Sequence, residues 1–195
     1  MKLVLATHNA HKVEELRTIL GDRLEGIELV GYDGPEPVED GDTFAANALI
    51  KARAAAAFTG LPAIADDSGI SVDALGGAPG IHSARYAGNR DDSENVDLLL
   101  ANLAALGPEA DRAAQFTCAA ALVSGTFEHV EVGVWPGTVL PERAGQGGFG
   151  YDPVFRPDGS SISAAEMTAQ EKNAVSHRTQ AFTQLLPIVR EQLLN

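Results

Sequence analysis

The residues of this chain best equipped for chemistry stand where apolar runs end. In "THNAHK" the segment Leu3 to Ala6 gives way to Thr7, His8, Asn9, Ala10, His11 and Lys12, and a helical pattern begins. A helix start leaves backbone N–H groups without partners, and its dipole favours an anion. Thr7 and Asn9 add side-chain donors and Lys12 adds a full positive charge. That is a phosphate cradle built without a P-loop, whose G-x-x-x-x-G-K-[ST] pattern is absent. The same residues also read as a helix capped by Thr7 or Asn9 beside a solvated Lys12.

Three further segments carry candidate groups. Glu39 lies on the loop before a helix that holds Lys51, where Asp40 and Asp42 are equally good caps. In "AIADDSG" an apolar strand, Pro62 to Ala65, runs into Asp66, Asp67, Ser68 and Gly69. A carboxylate buried at the end of a core strand is costly unless a cation or hydrogen bonds compensate, and α/β folds place ligands at such strand ends. Consecutive strand residues face opposite ways, so Asp66 and Asp67 are not expected to act as one pair. An Asp-Ser-Gly turn is the competing reading. "GQGGFGYDPVF" sets Phe149, Gly150, Tyr151 and Asp152 among glycines, which suits either stacking on a planar ligand or a hairpin with core aromatics. "EKNAVSHRTQ" brings Lys172, then Ser176, His177 and Arg178 to a helix start, where His and Arg can donate to a carbonyl or simply polarise the helix end.

The elements that must position these groups alternate. A strand at 2–6 is followed by a helix at 12–20, a strand at 27–32, a loop at 33–42 and an alanine-rich helix from Thr43 to Thr59. Short strands are expected in 62–75, a long loop over 76–90 and a helix over 92–106. Extended runs at 112–124 and 127–135 read as an antiparallel hairpin turning at Ser124-Gly125. Phe182, Leu185, Leu186, Val189 and Leu193 line one face of a last helix, which Pro187 should kink or shorten. The pattern predicts one α/β domain over 1–195 with a mixed sheet.

Composition removes whole classes of function. The chain has 195 residues, 45% hydrophobic and 21% charged, and can bury a substantial core. With 14 basic against 27 acidic residues the net charge is −13, and no basic cluster appears. A nucleic-acid polymer, which needs a basic stripe, is therefore not an expected partner, whereas a small phosphorylated ligand is compatible. No apolar run is long enough for a membrane span, and the first residues read as a short strand rather than a signal peptide. Cys118 is the single cysteine. It excludes an intrachain disulfide, favours a cytoplasmic address, and reads as a buried inert thiol.

Taken together, these blocks resemble the inosine triphosphate pyrophosphatases, also called non-canonical purine NTP or dITP/XTP pyrophosphatases. The carriers are Thr7 to Lys12, "EDGDTF" from Glu39, "DDSG" from Asp66, "GGAPGIHSARYAG", "GGFGYDPVF" and "EKNAVSHR", in order from residue 3 to about residue 190. The resemblance implies an elongated two-lobed α/β fold, with a long central mixed sheet flanked by helices and the active cleft between lobes. It implies a homodimer that uses Mg²⁺ to cleave ITP, dITP and XTP into monophosphate and pyrophosphate. Thr7, His8, Asn9, Ala10, His11 and Lys12 then match the triphosphate-binding start. Glu39 and Asp67 match the metal carboxylates, with Asp67 also the general base, and Ser68 matches a substrate contact. Phe149, Gly150, Tyr151, Asp152, Lys172, His177 and Arg178 match the base-binding positions.

Two departures accompany the match. His8 and His11 stand where the family often has glycine, and are expected to point outward. Ala46 precedes Asn47 where a glutamate is common. The rival readings are a house-cleaning pyrophosphatase for other modified nucleotides and a nucleotide-binding module without turnover.

Overall fold

The computed structural model describes residues 1–194. Its strands are β1 (Lys2–Leu5), β2 (Glu28–Gly31), β3 (Ala63–Val72), β4 (Ala113–Ser124), β5 (Phe127–Val139) and β6 (Phe155–Pro157). They form one six-stranded sheet in the order β2-β1-β3-β4-β5-β6. β1 runs parallel to both β2 and β3, while β5 and β6 are antiparallel, so the sheet is mixed as expected. The helices are α1 (Ala10–Leu20), α2 (Phe44–Thr59), α3 (Asp92–Ala105), α4 (Ala169–Val175) and α5 (His177–Leu194). Among the described residues, no helix is long and apolar enough to cross a membrane.

The chain divides into two compact units. The first takes residues 1–67, 118–133 and the chain from His177 onward; the second takes 68–117 and 134–176. In the first unit, strand alternation sorts the core into two layers. Leu3, Leu5, Ile64, Cys118, Ala120 and Leu122 face α1 and α5 through Leu16, Ile19, Phe182, Leu185 and Val189. Val4, Ala63, Ala65, Ala119 and Ala121 face α2 through Ala48, Ala52 and Ala55. This second layer is almost all alanine, so α2 packs close to the strands. Thr43 caps α2 through the Ala46 amide, and Gly60, at φ 67, ends it in the left-handed conformation that glycine adopts readily.

The second unit is built on aromatic and branched residues. Phe116, Trp135 and Phe155 meet ring to ring, and Val96, Leu99 and Leu103 of α3 close over Ile70, Val72 and Val154.

Two elements differ from expectation. β3 does not stop before its acidic pair but continues for ten residues, so Asp66 and Asp67 sit mid-strand and the Asp-Ser-Gly turn does not form. Gly69 serves packing instead: a Cβ there would collide with the Ser83 side chain and the Gly80 carbonyl. α5 passes through Pro187 without ending, so the shortening expected there does not occur. Pro187 lies on the exposed side of α5, where water can satisfy the carbonyl that loses its intrahelical donor.

Candidate active site

Alternation along β3 turns Asp66 towards α1 and α5, and Asp67 towards α2. On the first side Lys12 Nζ donates to Asp66 Oδ2 at 2.9 Å. Arg178 donates to the same oxygen through Nε at 3.4 Å and to Glu15 Oε2 through Nη1 at 2.5 Å. Burial alone would push the Asp66 carboxyl up, but Lys12, Arg178 and Lys51 overcome it and hold the group well below the usual carboxylate range. The Cys118 thiol lies 3.8 Å from the same oxygen, and burial, reinforced by that carboxylate, pushes it up. It is an inert core thiol, as its apolar surroundings in sequence suggest.

Lys12 is therefore paired rather than solvated. Asn9 is the cap of α1: its Oδ1 accepts from the amides of His11 at 3.0 Å and Lys12 at 3.2 Å, while Thr7 Oγ1 accepts from the Asn9 amide at 3.2 Å. Ala10 opens the helix. Capping and phosphate binding do not compete here, because a cap that orders the loop also aims Lys12. His8 is exposed. It contacts Glu36 Oε1 at 3.2 Å and packs on the Tyr32 ring, centroids 5.4 Å apart, and His11 is exposed as well.

The second side of β3 gathers Glu39, Asn47, Lys51 and Asp67. Lys51 Nζ bridges Glu39 Oε2 at 2.8 Å and Asp67 Oδ1 at 3.2 Å. Asn47, one turn earlier on α2, donates to Asp67 Oδ2 at 3.2 Å and accepts from the Gly41 amide at 2.9 Å. A Cβ at Gly41 would lie 2.7 Å from both Ala46 Cβ and Asn47 Oδ1, so only glycine lets the Glu39 loop come this close. Burial pushes the Asp67 carboxyl above its ordinary value. Lys51 and Lys12 pull against that, and Glu39 and Asp66 add to it. Burial would lower the Lys51 ammonium, but Asp67, Asp66 and Glu39 more than reverse it. Each lysine thus acts on both aspartates.

Glu39 and Asp67 converge on one cationic group, Lys51 Nζ. Two carboxylates and no softer ligand fit Mg²⁺, which takes one or two protein carboxylates and fills its shell with water and phosphate oxygens.

The remaining predicted residues lie in the second unit, apart from His177 and Arg178, which are buried at the start of α5 in the first. Asp152 Oδ2 accepts from Lys172 Nζ at 2.6 Å and from the Phe149 amide at 2.9 Å. Lys172 Nζ also stands 4.8 Å from the Phe149 ring centre. The Gly150 amide donates to Asp92 Oδ2 at 2.8 Å, and the Tyr151 hydroxyl to the Ser83 carbonyl at 2.7 Å. Burial pushes that phenol up. Tyr151 is thus an anchor of the loop, and Ser68 is half-buried in β3.

Sequence reasoning missed Asn47, the pairing role of Asp66, and Glu15. The signal for Asp66 was present: two residues beyond Ile64, it shares a buried face and needs a cation. Asn47 could have been found from its position four residues before Lys51 on one helix face.

The Ham1 family model matches residues 3–188. The chain is similar to the dITP/XTP pyrophosphatase of Leifsonia xyli subsp. xyli, 56% identical over 192 residues that cover 97% of this chain and 96% of the relative. It is 54% identical to the dITP/XTP pyrophosphatase of Streptomyces coelicolor, with 98% of each chain covered. Among solved structures, a HAM1 protein from Coxiella burnetii superposes with a TM-score of 0.89 at 42% identity, covering 98% of this chain and 99% of that one. With a model match and relatives of this coverage, the chain belongs to the Ham1 family.

Proposed function

We propose that this protein hydrolyses the non-standard purine nucleoside triphosphates ITP, dITP and XTP to monophosphate and pyrophosphate, with Mg²⁺ held by Glu39 and Asp67. The relatives named dITP/XTP pyrophosphatase support the substrate class. The observation that carries the chemistry is the meeting of Glu39 and Asp67 at one ammonium, with Lys12 acting on Asp67 as well.

A triphosphate bears roughly four negative charges near neutral pH, and a chain of net charge −13 must neutralise them locally. Mg²⁺, when bound, supplies that neutralisation and stabilises charge on the departing pyrophosphate. Lys12 and Lys51 contribute fixed positive charge, and the amides at the start of α1 contribute donors. Asp67 orients the attacking water and accepts its proton. An ordinary aspartate titrates near 3.9 and bulk water near 15.7, so Asp67 takes the proton late and does not generate free hydroxide unaided. Asn47 keeps the carboxylate aimed by holding its second oxygen.

For the base we assign Phe149 to stacking, and Lys172, Asp152, His177 and Arg178 to polar contacts. A 6-oxo purine offers an acceptor to the donors among them, Lys172, His177 and Arg178. Adenine offers a donor instead and leaves a buried group unpaired, at roughly 1–3 kcal/mol. Guanine must be excluded around its 2-amino group. We assign the protein to the cytoplasm and to homodimers on the same family grounds.

A nucleotide panel with Mg²⁺, read for pyrophosphate and orthophosphate, tests this. ITP, dITP and XTP should release pyrophosphate with catalytic efficiency well above that for ATP and GTP. Orthophosphate as first product, or equal efficiency for ATP, GTP and ITP, overturns the reading.

A further inference from the structure

The feature with most left to explain is the placement of Lys51. Its ammonium does not stand beside the two carboxylates assigned to the metal; it lies between them, bonded to Glu39 Oε2 and to Asp67 Oδ1. Its side chain is only 15% exposed. Mg²⁺ approaches its oxygen ligands to about 2.0–2.1 Å, nearer than any ammonium, so an ion drawing on both of these oxygens would enter the same wedge. Two cations cannot share it, because at such separations in a partly buried site their repulsion is strong.

We propose that Lys51 is a resident counter-cation of the Glu39–Asp67 pair, displaced from the wedge when a divalent ion enters. The proposal rests on the metal reading given above. The surroundings suit an exchange of this kind. The alanine layer fixes the backbone of α2 against the strands, so the lysine stem alone has to move, and a four-carbon stem has rotamers to spare. Asn47 keeps the other Asp67 oxygen and the Gly41 amide in place meanwhile, so the carboxylates stay aimed while their cation changes. Once out of the wedge, the ammonium is available to the phosphate oxygens that accompany the metal, which couples metal entry to triphosphate capture.

The test is calorimetric titration of the nucleotide-free protein with Mg²⁺ alone. Lys51→Met keeps the stem and removes the competing charge, and Lys51→Gln serves as a second variant should the first fold poorly. Either should bind Mg²⁺ about tenfold more tightly than wild type; tenfold is about 1.4 kcal/mol, the scale of a charged hydrogen bond. Both should bind a non-hydrolysable Mg²⁺–nucleoside triphosphate more weakly. In wild type labelled with ¹⁵N-lysine, one ammonium signal that is missing from the Lys51 variants should move when Mg²⁺ is added. Mg²⁺ affinity in the variants that is unchanged within about twofold, or weaker, overturns the proposal. Glu39→Gln separates this from the parent reading. If that variant loses Mg²⁺ while Lys51→Met is unchanged, the metal site stands and the exchange falls; if Glu39→Gln binds Mg²⁺ like wild type, the metal site itself falls.

Discussion

Asp66 and Asp67 are neighbours of the same residue type in one strand, yet they meet opposite surroundings. Asp66 has a side chain with no exposure, and it belongs with Glu15, Lys12 and Arg178 to a set of two negative and two positive charges. Asp67 is 13% exposed in its side chain, and it and Glu39 share the ammonium of Lys51 as their ion-pair partner, with Lys12 also acting on Asp67. The balanced set holds the unit together, whereas Glu39 and Asp67 are the carboxylates assigned above to Mg²⁺. Strand alternation alone separates the two, and a shift of one residue in β3 would exchange them.

The largest expected effect breaks the balanced side. Asp66→Asn takes the carboxylate away from half-buried Lys12 and from buried Arg178, which keeps Glu15, and should cost about 3 kcal/mol in urea unfolding. A loss below about 1 kcal/mol would dissolve the distinction between the faces. Asp67→Asn should lower turnover at least about 10²-fold, near 2.7 kcal/mol of barrier, while stability at neutral pH stays level or rises. A stability loss as large as that of the Asp66 variant would make Asp67 structural as well. Ala52→Leu adds volume to the alanine layer and should cost about 1–3 kcal/mol, with turnover falling further than stability because Lys51 is displaced. Equal and small changes in both would show that α2 has slack.

Acid titration gives the smallest but sharpest contrast, since the two carboxyls are shifted in opposite directions from the ordinary value of 3.8. The folded value of Asp66 lies below that of the unfolded chain. Its stabilisation is complete above the unfolded value and is lost as pH falls through the folded one, so the gap between wild type and Asp66→Asn should narrow on acidification. The folded value of Asp67 lies above, so its ionisation costs stability at neutral pH. The gain from Asp67→Asn should be present above that folded value and vanish below 3.8. Chemical unfolding from pH 7 down to about 3 would show profiles of opposite sign, and profiles of the same sign would refute the comparison.

Much of this arrangement is legible in sequence. The order of strands and helices follows from hydrophobic period and from stops such as Gly60, and the opposite facing of Asp66 and Asp67 follows from strand geometry. The continuation of β3 was not legible, because "DDSG" carries turn chemistry and only partners distant in the chain make strand conformation affordable for two adjacent carboxylates. The same limit hid Asn47, whose value lies in the Gly41 amide and in Asp67, 20 residues away. Pro187 misled because proline disfavours a helix interior in general, while the cost here falls on a solvent-facing carbonyl.

Cys118 turns the balanced side into something observable. A solitary sulfhydryl, kept protonated and shielded at the centre of the first unit, meets a disulfide reagent only when that unit opens. The speed at which the intact protein takes up such a label is therefore a clock for the opening of its interior, built in without any engineered probe.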